Sequence, residues 1–89
     1  MSSKTQKKIQ EILTERFHPI DLNVLDESAR HKGHAGAASG GGHYAVEIVS
    51  EEFKNLTLLD QHRRVKEALK DLMGKEIHAL RLKTAPSVD

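Results

Sequence analysis

The chain has 89 residues, 37% of them hydrophobic and 30% charged, with a formal net charge of +1. This is one domain's worth of sequence, and the balance excludes a disordered polyelectrolyte, a protein built of apolar membrane helices and a polycation made for nucleic acid. There are no cysteines and six histidines, so disulfides and thiolate ligands from this chain are excluded, and imidazole is left as its characteristic metal donor.

Met1 to Gln10 is polar and carries lysines, with no apolar core of a secretory signal. The expected compartment is therefore the cytoplasm, or the mitochondrial matrix if a targeting segment lies outside this sequence. Ser3-Lys4-Thr5-Gln6 has the spacing of a capping box, and Ile9, Ile12, Leu13 and Phe17 follow at helical intervals. These signals predict a helix over about residues 4–17, ended by Pro19, with His18 pushed out of the α region. Leu22 and Val24 alternate with polar residues, as in a short strand.

Asp26 to His43 holds five of the six glycines together with His31, His34 and His43. It reads as a loop, flexible over about 27–43, and a loop of this length inside a small domain is usually functional or disordered. Tyr44, Val46 and Ile48 alternate in a second strand. Ser50 to Asn55 is a polar connection with Phe53 as an anchor. Thr57-Leu58-Leu59-Asp60 is a second capping box, and Leu58, Val65, Leu69 and Leu72 continue at helical spacing until Gly74, which fits the position after a helix end. Ile77 to Thr84 reads as the third strand, and Pro86 begins a frayed tail, residues 85–89.

The order helix, strand, strand, helix, strand predicts a single α/β (α+β) domain spanning residues 1–89, with an ordered core over about 4–84. A hairpin followed by a helical crossover gives a three-stranded mixed sheet with both helices on one face.

Several candidate chemistries follow from the residues themselves. His31 and His34 have H-x-x-H spacing, a weak divalent-metal pattern without an evident third ligand. Ser28 lies near His31 but has no nucleophile motif around it, and no enzyme signature is found. Arg63, Lys66 and Lys70 can share one helix face with Arg64 nearby, which suggests a nucleic-acid surface or a dock for an acidic partner. Asp60, Glu67 and Asp71 dilute that face. Gly33-His34-Ala35-Gly36 has the pattern of a KH backbone clamp, yet falls between two strands, and the connection where a clamp belongs has no glycine.

Five short stretches in order resemble the BolA family. They are Asp26-Glu27-Ser28 after the first strand, His43-Tyr44 at the start of the second, and Val49-Ser50 with Phe53 after it. His62-Arg63 with Val65 follows in the long helix, and Ile77-His78-Ala79-Leu80 opens the third strand. The resemblance implies a type II KH-like fold and a non-enzymatic adaptor that is a monomer alone. It implies a partner, a monothiol glutaredoxin, and a shared [2Fe-2S] cluster to which the partner and its glutathione give the thiolates. His78 falls on the family's C-terminal histidine, and His34 on the ligand of its first hairpin loop. The spacing from His34 to His43-Tyr44 resembles the histidine-loop branch. His43 and His31 are alternates as metal ligands, with His43 also able to orient a ligand. The implied role is iron–sulfur cluster trafficking, assembly or iron sensing. The alternative is a nucleic-acid-binding transcriptional regulator that uses the KH-like fold; under the adaptor reading nucleic-acid binding is expected to be weak.

Overall fold

The computed structural model describes residues 4–27 and 42–88. The first helix, α1, spans Lys4–Phe17 and turns Ile9, Leu13 and Phe17 inward, one residue per turn at steps of four. It ends where the His18 amide donates to the Thr14 carbonyl at 3.0 Å. His18 then takes φ 46°, a left-handed conformation, and Pro19 prevents any further helical turn. The last helical carbonyl does not go unpaired: the Ser50 hydroxyl donates to the Phe17 carbonyl at 2.8 Å.

Strands β1 (Asp21–Asp26) and β2 (Gly42–Val49) pair antiparallel, and β3 (Ile77–Ala85) lies parallel on the other side of β2. The sheet is mixed, in the order β1-β2-β3. The period-two alternation sends Val24, Tyr44, Val46 and Ile48 to one face, where Leu22, Leu80 and Leu82 join them. The stripe of α1 and the residues Val65, Leu69 and Leu72 pack on that same face, so both helices cover one side of the sheet.

Between β2 and α2 a short 3-10 turn, Glu51–Phe53, is capped by Ser50, whose oxygen also accepts from the Glu52 amide at 3.1 Å. Phe53 is fully buried, and its ring meets that of Phe17 at 5.1 Å between centroids. Helix α2 spans Leu58–Ala68, with Thr57 as its N-cap accepting from the Asp60 amide. Its buried residues are Gln61 and Val65. Gln61 keeps its amide satisfied, donating to the Leu56 carbonyl and accepting from the Thr84 hydroxyl.

Four expectations need correction. Leu58 is 59% exposed and does not belong to the buried stripe, because at the first turn it points past the sheet while Gln61 fills the inward position. The helix ends at Ala68 rather than at Gly74. Leu69 and Leu72 are buried in the turns that follow, and Gly74 supplies the left-handed residue (φ 78°) that turns the chain into β3. The loop is shorter than 27–43, since Gly42 and His43 already pair within the sheet. Ala85 belongs to β3, opposite Val49, and not to a frayed tail. The Gln6 amide nitrogen donates to the Val24 carbonyl at 2.7 Å, while Ser3, the other half of that proposed capping box, lies outside the described residues.

Candidate functional site

Because β1 runs antiparallel to β2 and β3 runs parallel to it, one end of the sheet gathers the last residues of β1 and the first residues of β2 and β3. The N-terminal half of α1 lies at the same end: Lys8 bonds Glu76 at 3.0 Å and Thr5 bonds it at 3.3 Å. Glu76 precedes β3 directly. The Lys8 ammonium beside it holds its carboxyl below the usual carboxylate range, with smaller help from the Thr5 hydroxyl and Lys75, against a desolvation that acts the other way.

The first residues of β2 are fixed from both sides. The Gly42 amide donates to the Glu76 carbonyl at 3.0 Å, and the Glu27 amide donates to the His43 carbonyl at 2.7 Å. Glu27 itself lies within 3.6 Å of Arg81, an ion pair across the open face of the sheet. Gly42 has no room for a side chain, since an added Cβ would stand 2.5 Å from the Tyr44 ring.

The pairing of β2 with β3 breaks register at this point. Gly42 is opposite Ile77 and His43 is opposite Ala79, so His78 is an extra residue without a partner of its own. This β-bulge reverses the phase of β3. Counting back by twos from Leu82 and Leu80 would send His78 into the core. The bulge instead buries Ile77 completely and leaves His78 exposed. The His78 ring then stands against the His43 ring, with centroids 5.5 Å apart and planes tilted by 58°.

Two of the sequence candidates, His43 and His78, are thus brought together. His31 and His34 lie outside the described residues, as do Ser28 and the 33–36 glycine pattern. The 14 undescribed residues that carry them, 28–41, connect β1 to β2 at this same end. Among the described residues, no set of three or more His, Cys, Asp or Glu could hold a metal ion. The His43–His78 pair is half of a donor set at most. Two imidazoles are fewer than the four ligands that a closed metal or cluster site takes.

The remaining histidines stand apart from this pair. His18 is exposed at the end of α1. The Nε2 of His62 is buried with no hydrogen-bond partner among the described residues. The basic residues of α2 line a groove that also includes Arg16 at the end of α1. Arg16 was not singled out in the sequence, because only the packing of α1 beside α2 adds it to the α2 face.

The sequence model of the family described as BolA-like protein matches residues 13–88. The chain belongs to the BolA family. A BolA-like protein of Dictyostelium discoideum is 42% identical over 76 residues, which cover 84% of this chain and 64% of that protein. This chain therefore spans a little under two thirds of that relative. The DNA-binding transcriptional regulator BolA of Escherichia coli K12 is 37% identical over 79 residues, covering 89% of this chain and 72% of the relative. Among solved structures, the BolA domain of SufE1 from Arabidopsis thaliana superposes with a TM-score of 0.83 at 29% identity, over 97% of this chain and 96% of that domain. Four of the five motifs of the BolA resemblance acquire physical roles in this fold. Glu27 holds the start of β2, Ser50 and Phe53 join α1 to the turn before α2, and the His43-Tyr44 and Ile77-His78 pairs each send one residue into the core and one histidine out.

Proposed function

We propose that the protein is a non-enzymatic, cytoplasmic adaptor that pairs with a monothiol glutaredoxin and contributes histidine to a [2Fe-2S] cluster shared between them. The observation that carries this reading is the His43–His78 pair, set at an exposed sheet end by a β-bulge, in a chain without cysteine. A [2Fe-2S] cluster takes four ligands, and imidazole replaces thiolate on one iron in known centres. A chain that offers two imidazoles and no thiolate fits one half of such a cluster, with the glutaredoxin thiolate and its glutathione supplying the other half.

In this reading the residues of the chain position ligands and leave the chemistry to the cluster, which serves as cargo or signal in iron–sulfur trafficking, assembly or iron sensing. The bulge fixes the outward direction of His78. Glu27 and Glu76 clamp the strand that carries His43 through its backbone. The loop ligand implied by the BolA resemblance is His34, with His43 either replacing it or orienting His78. Reconstitution of the chain with a monothiol glutaredoxin, glutathione, iron and sulfide tests the reading. The expected result is a visible circular-dichroism spectrum in the mixture that differs from that of the glutaredoxin alone and is lost in His78→Ala. An unchanged spectrum in folded His78→Ala removes the ligand assignment.

The second reading is nucleic-acid binding, favoured by the basic groove and by the name of the Escherichia coli relative. With a net charge of +1, binding by this domain is expected to be weak, independent of sequence and steeply lost with salt. Sub-micromolar, sequence-selective affinity at physiological salt would favour this alternative.

A further inference from the structure

Away from the histidine pair, a groove runs along the outer surface of α2. Five cations line it: Arg16 from the last turn of α1, and Arg63, Arg64, Lys66 and Lys70 from α2 and the turn after it. Two of these are already matched within the groove. Arg63 faces Asp60 at 3.7 Å and Lys70 faces Glu67 at 3.3 Å, both pairs well exposed. Exposed pairs of this kind contribute about 0–1 kcal/mol, so a competing carboxylate displaces them at small cost. Arg16, Arg64 and Lys66 make no ion pair among the described residues. Between the cations lie two half-buried apolar side chains, Leu56 and Met73.

We infer that this groove docks an acidic segment of a partner protein that places one apolar side chain between Leu56 and Met73 and carboxylates on Arg16, Arg64 and Lys66. An apolar centre inside a charged rim is the arrangement of protein interfaces, in which Arg and Met are enriched. Arginine presents a planar fork that matches a carboxylate bidentately, and methionine repacks around varied apolar side chains. Charge complementarity selects the acidic partner, since the groove carries five cations against two carboxylates.

A nucleic-acid strand fits the same groove less well. Asp60 and Glu67 stand in its rim and repel a phosphate backbone, and no aromatic side chain lines it to stack a base. The inference is independent of the cluster reading, because none of these residues belongs to the histidine end. Met73 bridges to Ile77, the residue before His78, so a partner seated along the groove reaches toward that end of the sheet.

Fluorescence anisotropy of the full chain with a labelled nine-residue peptide, six acidic residues around a central leucine, tests the proposal. Comparator probes are the same peptide with amides in place of the acids, the peptide with serine in place of leucine, and a single-stranded DNA of equal charge. The expected result is saturable binding of the acidic peptide. It should weaken at least tenfold in the double variant Arg64→Glu with Lys66→Glu and in Arg16→Glu, and less than twofold in Lys7→Glu or Lys83→Glu. Both comparator peptides should bind more weakly, and the DNA more weakly still. All substituted residues are exposed, and far-ultraviolet spectra confirm folding. Amide chemical-shift changes in the unmodified chain provide a readout independent of the variants, and they should cluster on residues 56–73 and on the last turn of α1 around Arg16. Absent binding, equal loss in the off-groove variants, shift changes elsewhere, or tighter DNA binding that the groove variants abolish would each overturn the proposal, the last in favour of nucleic acid.

Discussion

The Ser50 hydroxyl performs two hydrogen-bonding tasks in a site closed to water. It donates to the final carbonyl of α1 and accepts the second amide of the 3-10 turn. Ser50→Ala leaves both groups unpaired, and the expected loss is ~1–3 kcal/mol, read as a lower urea midpoint. Phe53 stands beside it with no exposed surface, and Phe53→Ala is expected to cost ~3–5 kcal/mol in the same assay. At the functional end, Gly42→Ala drives a methyl group into the Tyr44 ring. Overpacking of this kind costs ~1–3 kcal/mol, and because His43 is the next residue the substitution should also weaken any ligand role of that histidine. His43→Ala, by contrast, removes a half-buried ring outside the main core. It should leave the urea midpoint nearly unchanged while altering the visible circular dichroism of the reconstituted complex.

At the scale of the elements, the bulge in β3 decides which of two adjacent residues enters the core. Continuing the alternation of β3 would turn His78 inward, whereas hydrophobic burial favours Ile77 there, and Ile77 is fully buried. The extra residue resolves the conflict and turns His78 to solvent. The turn from α2 into β3 depends on Gly74 at φ 78°, with open space where a Cβ would stand. Steric contact is therefore absent there, and the cost of Gly74→Ala is conformational alone, about 1–2 kcal/mol. Gly74→Asn should cost less, because asparagine visits the left-handed region more readily. Thermal unfolding of the two variants checks the order.

For the molecule as a whole, the Lys8–Glu76 pair ties the first helix to the threshold of the last strand, 68 residues away. Its effect on stability depends on pH with a definite sign. The folded state lowers the Glu76 pKa below the ordinary 4.5, so the carboxylate form is favoured in the folded chain. The contribution is fully present above the unfolded value and is lost as pH falls through the lowered folded value. Glu76→Gln should therefore be slightly less stable than the parent chain near neutrality. The two unfolding curves should converge below pH 4.5, and constant separation down to strong acid would contradict the assignment. No helix among the described residues is long and apolar enough to cross a membrane.

The periodicities settled a great deal without any structure. The α1 stripe, the alternation of β2, the Thr57 cap and the element order are local properties of the chain, and local spacing dictates which residues share a face. The two histidine–apolar pairs were visible as well, and the BolA resemblance had already marked His78. Tertiary structure decided what spacing cannot express. Leu58 fits the helical repeat but lies where no neighbour covers it, while Gln61 is buried because Leu56 and Thr84 satisfy its amide. Arg16 joins the α2 cations only because α1 packs alongside. His43 and His78 are 35 positions apart in the chain, and a parallel pairing with one extra residue sets their rings 5.5 Å apart. A strand register is a relation between two segments, and neither segment carries it alone.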